Sequence, residues 1–95
     1  MAYQIKFLPS ALKEWKKLDP SVQDVFAKKI ERRIDDPHVP NARLSGALHG
    51  CYKIKSNKTG HRLVYRVLDD EIVIVIIAVG PRAAGEVYET ARRRS

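Results

Sequence analysis

The stretch Ile72-Val73-Ile74-Val75-Ile76-Ile77-Ala78-Val79 decides the fold of this chain. It is an unbroken apolar run, and nearly all of its residues are β-branched. Such a run is too short to cross a membrane as a helix and is typical of a strand that is covered on both faces. The sequence therefore predicts a sheet with its central strand at this position.

Two further strands precede this run. Residues 51–55 and 61–68 form two further runs in which apolar side chains alternate in part with basic ones. Asn57-Lys58-Thr59-Gly60 and Asp69-Asp70 separate the three runs, and both segments favour turns. The pattern predicts a three-stranded antiparallel meander.

The register of the first hairpin follows from its turn. If Lys55 lies opposite Arg62, then Ile54 faces Leu63 and the apolar partners match. Side chains alternate across a strand, so this register gathers cations on one side of the hairpin. Like charges facing each other destabilise a sheet, which predicts that something anionic binds there. The cations on this side are Lys53, Lys55, Arg62 and Arg66.

The first third of the chain predicts a strand followed by two helices. Residues 3–8 alternate, with Tyr3, Ile5 and Phe7 on one side, and Pro9 closes the strand. An apolar stripe over residues 11–18 indicates a helix with Ser10 as its amino-terminal cap. A second helix begins at Pro20 with Asp19 as its cap and continues to Ile34. The pairs Lys28-Lys29 and Arg32-Arg33 indicate a solvated helix face.

The remaining segments complete an α+β fold. Residues 35–50 hold two prolines and two glycines and predict a crossing loop. Residues 84–91 indicate a short closing helix, weakened by Gly85. We expect one domain, residues 1–95, in which the N-terminal strand and helical hairpin join a small, mainly antiparallel four-stranded sheet. The hairpin covers one face, and the other face stays partly bare.

The charge balance favours an anionic partner. The 95 residues contain 18 Lys and Arg against 11 Asp and Glu, for a net charge of +7, and the excess lies mainly after residue 37. Such a surface favours nucleic acid. The single cysteine, Cys51, excludes an intramolecular disulfide, and the three histidines show no metal-binding spacing, so we expect no cofactor. With no export signal, we expect a cytoplasmic protein without membrane contact.

Four motifs together resemble the RelE family of bacterial and archaeal toxins. The resemblance runs in order over nearly the whole chain. It implies a ribosome-dependent messenger-RNA endonuclease that cuts codons in the ribosomal A site. It also implies neutralisation by a RelB-like antitoxin and binding to operator DNA only as a toxin–antitoxin complex. The motifs are Ala11-Leu12-Lys13-Glu14-Trp15-Lys16-Lys17-Leu18, Cys51-Tyr52-Lys53-Ile54-Lys55, Gly60-His61-Arg62-Leu63-Val64-Tyr65-Arg66-Val67, and Val79-Gly80-Pro81-Arg82 with Glu86-Val87-Tyr88.

The resemblance also implies the site residues and their roles. The family reaction is attack of a ribose 2′-OH on the adjacent phosphate, which leaves a 2′,3′-cyclic phosphate. On this sequence the general base falls on Lys55 and the donor to the leaving oxygen on Arg82. Lys53 and Arg62 would stabilise the phosphate, and Tyr88 would stack on a base. No metal takes part in this reaction.

Some features depart from the family or allow other interpretations. Pro81 and Ala83-Ala84 stand where basic or polar residues are common, which thins the charge facing RNA. Without the resemblance, the basic side chains would equally fit a solvated sheet face, and Tyr88 would fit a packing role. The helix pairs Lys28-Lys29 and Arg32-Arg33 could equally touch ribosomal RNA. Two rival functions stay open: a ParE-like DNA gyrase inhibitor and a non-catalytic RNA-binding module.

Overall fold

The fold is α+β, as the sequence predicts. The structure, a computed structural model, describes residues 2–95 apart from the side chain at position 84. Short 3₁₀ turns lie at Pro40–Ala42, Gly46–Leu48 and Ala83–Gly85. The main elements are β1 (Gln4–Phe7), α1 (Pro9–Lys17), α2 (Pro20–Arg33), β2 (Cys51–Ser56), β3 (His61–Leu68), β4 (Val73–Pro81) and α3 (Glu86–Arg94).

The four strands form one sheet in the order β1-β4-β3-β2. The apolar run lies in β4, between β1 and β3, which confirms that it is a central strand. β1 pairs with β4 in parallel, and the other two pairs are antiparallel. The sheet is therefore mixed, and β2 lies at an edge.

The predicted hairpin register is confirmed. Lys55 pairs with Arg62 and Ile54 with Leu63. Between β3 and β4 the register shifts at Val64/Tyr65, where β4 carries one extra residue. Such a bulge bends the strand and re-aims the side chains beyond it.

The two helix caps have different outcomes. The Asp19 side chain accepts a hydrogen bond from the Ser21 amide at 3.0 Å, and Pro20 is the first helical residue, as predicted. The prediction for Ser10 is wrong, because α1 begins one residue earlier at Pro9 and its capping position is Leu8. Proline suits the first helical position, since its missing N–H has no partner there.

Helices lie on both faces of the sheet, and the second face stays partly bare, as predicted, because Lys55 on that face is exposed. Phe26 and other residues of the helical hairpin pack with Ile54 and Leu63 on one face. On the other face, Val87 and Ala91 of α3 pack with Val64. Gly85 precedes α3 with φ 69°, a conformation that glycine adopts freely, and so it starts the helix instead of weakening it.

No helix within residues 2–95 is long and apolar enough to span a bilayer.

A polar cluster joins the crossing loop to the turn between β3 and β4. His38 Nε2 and the Tyr3 hydroxyl both lie 2.7 Å from Asp69 Oδ1, and His38 Nδ1 lies 2.8 Å from the Tyr52 hydroxyl. These hydrogen bonds, led by the one from His38, hold the pKa of the Asp69 carboxyl below its ordinary value. Tyr3 and His38 are thereby fastened to the β3–β4 turn.

Acidification is expected to loosen this cluster. A carboxyl with a lowered pKa in the folded state stabilises the fold at neutral pH, and that contribution is lost as the pH falls through its folded pKa, below about 4. We expect Asp69→Asn to lower the melting temperature at neutral pH and to flatten its decline as the pH falls below the ordinary carboxyl pKa. Asp70→Asn is the matched control, and an equal response in both variants would contradict this role of Asp69.

Candidate functional site

Three of the five predicted site residues lie side by side on the hairpin. Lys55 of β2 lies directly opposite Arg62 of β3, and Lys53 lies two residues away on the same face. α3 packs against this face of the sheet. Cys51 and Val64 point to the same side as Lys53, and both belong to the apolar cluster that includes Val87 and Ala91 of α3. We call Lys53, Lys55 and Arg62 the basic cluster.

The other two residues come from the segment after β4: Arg82 directly follows the strand, and Tyr88 lies on α3. Arg62 also pairs with Gly80, two residues before Arg82. The Arg82 amide donates a hydrogen bond to the Gly60 carbonyl at 2.8 Å, which ties its backbone to the turn of the hairpin. Tyr88, on α3, is half-buried against the apolar cluster of this face. The register therefore brings Lys55, Arg62 and the backbone of Arg82 to the turn end of β2 and β3, with Lys53 two residues along β2, while Tyr88 packs on the same face of the sheet.

The burial of Arg62 distinguishes the basic cluster from an ordinary solvated surface. Arg62 is 8% exposed, while Lys53 is half-buried and Lys55 is exposed. Arg62 Nη1 donates to its neighbour's carbonyl, that of His61, at 3.0 Å. Burying a cation is costly unless a charge or several polar groups compensate it.

The compensation does not come from carboxylates. Over the described residues, the ion pairs are His38–Asp69, Arg92–Glu89 and Arg94–Glu14. None of them includes a cation of the basic cluster or Arg82. A face with this charge is suited to binding a phosphate group, whose oxygens accept hydrogen bonds from arginine and lysine.

Arg66 shares the face but not the site. Its guanidinium lies at the other end, where Nη1 donates to the His49 carbonyl at 3.4 Å. A side chain at Gly50 would meet the same nitrogen at 3.3 Å, so the glycine leaves room for the arginine. The predicted side of Arg66 is thus correct, and its position separates it from Lys55 and Arg62.

Lys29 and Arg33 of α2 lie against β2. The sequence predicts a solvated helix face for both. Lys29 Nζ donates to the Lys55 carbonyl, and Arg33 Nη1 donates to the Lys53 carbonyl at 3.3 Å. Their four-residue spacing puts both on one side of the helix. This spacing shows from the sequence that the two cations share one side of α2, but it does not show which strand that side contacts.

No three His, Cys, Asp or Glu side chains between residues 2 and 95 are close enough together to hold a metal ion. Burial raises the pKa of the Cys51 thiol, with Arg66 opposing the shift, so the thiol form is favoured. Cys51 packs in the apolar cluster beneath α3.

Comparisons with known proteins agree with one another. A family model described as the ParE toxin of the parDE type II toxin-antitoxin system matches residues 5–84. A putative RelE-like toxin protein of Escherichia coli is 49% identical over 94 residues, which are 99% of this chain and 98% of that protein. The mRNA interferase toxin RelE of Escherichia coli K12 is 42% identical over the same shares of both chains.

Solved structures show the same likeness. A substituted variant of the Escherichia coli toxin RelE in the free state superposes with a TM-score of 0.90 at 41% identity, covering 99% of this chain and 98% of that one. The toxin chain of the intact Escherichia coli RelBE toxin-antitoxin complex gives 0.81 at 40% identity, covering 84% and 96%.

Proposed function

This chain belongs to the RelE/ParE family of type II toxins, and on that premise we propose that it cleaves messenger RNA in the ribosomal A site and so inhibits translation. The observation that carries the proposal is the basic cluster, in which Arg62 is buried without a carboxylate partner. Support comes from a full-length relative that is 42% identical and is named an mRNA interferase.

The proposed reaction needs no metal ion and uses the ribose as its nucleophile. The 2′-OH attacks the adjacent phosphorus, its proton passes to Lys55, and the bond to the 5′ oxygen of the next nucleotide breaks. The products are a 2′,3′-cyclic phosphate and a free 5′-OH. Lys53 and Arg62 stabilise the negative charge that develops on the phosphate oxygens. The leaving oxygen becomes a 5′-OH by taking a proton from Arg82, or from water while Arg82 donates strong hydrogen bonds to it.

Tyr88 completes the proposed site. It lies on α3, on the covered face, with its side chain half-buried. A ring held in this way can stack on a base of the codon, a contact worth about 1–3 kcal/mol. Stacking orients the ribose next to the scissile phosphate.

We infer the partners and the location from the same family membership. Residues 1–95 act as one toxin domain in the cytoplasm, where they meet the ribosome and its message. A RelB-like antitoxin neutralises the chain, as the toxin-antitoxin complex of a 40% identical relative suggests. Operator DNA is bound only by the toxin–antitoxin complex, and the net charge of +7 favours an acidic antitoxin.

Inhibition of DNA gyrase is the second candidate, because the matching family model carries the name of ParE. That function needs no groups that cleave a phosphodiester. The basic cluster with Arg82 beside its turn, and the RelE names of the 42–49% identical relatives, favour RNA cleavage. Gyrase-dependent DNA breaks in cells that express the toxin, with intact transcripts, would reverse this preference.

The nucleophile can be tested with a modified message on programmed ribosomes. We expect a single 2′-deoxynucleotide on the 5′ side of the scissile bond to reduce the cleavage rate by about a thousandfold or more, because it removes the attacking oxygen. The unmodified message should yield a 3′ end that carries a cyclic phosphate. Cleavage of the deoxy message at the normal rate, or a 3′-hydroxyl product, would contradict the mechanism. Ribosome binding without any product would favour a non-catalytic RNA-binding module.

A further inference from the structure

The free edge of β2 is fastened by side chains instead of by another long strand. β2 ends the sheet, and its outer side meets a short segment at its start, where Tyr52 bridges to Arg43 and the Leu44 amide donates to the Cys51 carbonyl at 3.0 Å. Lys29 Nζ donates to the Lys55 carbonyl, and Arg33 Nη1 donates to the Lys53 carbonyl. In an antiparallel pair, the carbonyls of alternate residues point away from the partner strand, and these two are such carbonyls.

The two bonds fit the geometry of a helix that runs along a strand. Residues four apart on a helix are separated by about 6 Å along its axis. Residues two apart on a strand are separated by about 6.7 Å. Lys29 and Arg33 thus reach the carbonyls of Lys55 and Lys53 in antiparallel order. The two spacings are nearly equal, so both side chains reach their carbonyls at the same time. α2 therefore supports the outer edge of β2.

Arg33 is itself held in place by the core. Its Nη1 also donates to the Tyr65 hydroxyl at 2.8 Å, and its guanidinium lies 5.7 Å from the centre of the Tyr65 ring. Tyr65 is 1% exposed and donates to the Pro37 carbonyl at 2.7 Å. Arg33 therefore connects the edge of β2 to a buried residue and is not a freely moving surface cation.

From these contacts we propose that Lys29 and Arg33 are positioning residues for RNA cleavage, because they hold the two peptide groups that carry Lys53 and Lys55. This inference rests on the proposed function. Beyond the bridge between Arg43 and Tyr52, the outer backbone of β2 at Lys53 and Lys55 is bonded by these two side chains, and a shift of about 1 Å in a catalytic group can cost about a hundredfold in rate. The α2 cations prevent that movement, although they lie beside the backbone of β2 and not on the reacting phosphate.

A direct contact with RNA is the competing explanation for these cations. Lys29, Arg32 and Arg33 line a groove of about 400 Å³ together with Lys53 and Lys55. Positioning and direct contact predict different kinetics. A lost phosphate contact weakens binding and raises KM, whereas a misplaced catalytic lysine lowers kcat.

The test uses Lys29, which is partly exposed and can be replaced without disturbing the core. We expect Lys29→Met to lower kcat for cleavage of a ribosome-bound message by about tenfold, with KM within about twofold of the unsubstituted toxin. Lys28→Met is the matched control, because Lys28 is the exposed neighbouring residue and its loss changes the net charge equally. We expect this control to leave kcat unchanged. Lys29→Arg keeps a charged donor and should restore kcat to within about threefold.

The outcomes separate the inference from the function on which it rests. Equal kcat for Lys29→Met and Lys28→Met, or a rise in KM alone, would overturn positioning. Arg33→Lys, which keeps the charge but shortens the reach, should lower kcat in the same way at a folded population confirmed by circular dichroism. If Lys55→Met also cleaves at the normal rate, the proposed site itself has failed, and not only the role of α2.

Discussion

Replacing Arg82 by alanine is expected to reduce cleavage of ribosome-bound messenger RNA by about a hundredfold or more, because a donor that faces the developing charge is lost. Arg82 is exposed, and none of the ion pairs within residues 2–95 includes it. Its backbone bond to the Gly60 carbonyl does not involve the side chain. The substitution should therefore leave the fold and its melting temperature unchanged.

The measurement is a single-turnover cleavage rate at saturating ribosome concentration, with ribosome binding measured separately. Arg93→Ala is the control, because Arg93 is exposed on α3 and its replacement removes the same charge. We expect binding to fall equally and slightly in both variants, since each loses one cation that attracts RNA. Normal cutting by Arg82→Ala would remove Arg82 from the site.

Replacing Arg62 by methionine is expected to separate activity from stability. Arg62 is 8% exposed, lies opposite Lys55 and has no ion pair in the described part of the chain. Methionine fills a similar volume without a charge that must be desolvated. We expect cleavage to fall by about a hundredfold or more, because the phosphate loses its most enclosed cation. The free energy of unfolding should rise by about 1 kcal/mol.

Denaturant unfolding and single-turnover cleavage test this pair of effects on the same preparations. Arg66→Met is the control, since Arg66 lies on the same face but bonds to the His49 carbonyl at the other end. Its loss should affect cleavage far less. An Arg62→Met protein that is both less stable and fully active would show that Arg62 serves the fold. In the expected result, the buried charge of Arg62 lowers the stability of the fold and is kept because cleavage needs it.

Much of the fold was predictable because its signals are local. The unbroken apolar run at residues 72–79 identified the central strand, and the turn at residues 57–60 set Lys55 opposite Arg62. Asp19 before Pro20 identified the start of α2, because a side-chain cap and a first-turn proline need only neighbouring residues. The prediction that Ser10 caps α1 was wrong, because the helix begins one residue before Ser10, with Pro9 as its first residue.

The candidate site was predictable in part. Alternation along two strands placed Lys53, Lys55 and Arg62 on one face. Arg82, at the end of the central strand, and Tyr88, on the turn that follows, were candidates from their positions, and the family resemblance supports both. The burial of Arg62 did not follow from the sequence, because the alternation of a strand shows which face a side chain takes but not how closely that face is packed. Gly85 misled the prediction, since its left-handed conformation at the start of α3 depends on how the chain leaves β4.

The sequence by itself determined which strand is central, the pairing of the hairpin and the side on which its cations lie. Each of these follows from the period-two alternation of a strand and from turns of a few residues. Only the tertiary structure decided that α3 covers the second face, and that Lys29 meets a carbonyl 26 residues away in the chain. Such contacts depend on how helices dock in space, and the helical period shows which side chains share a face but not what that face meets.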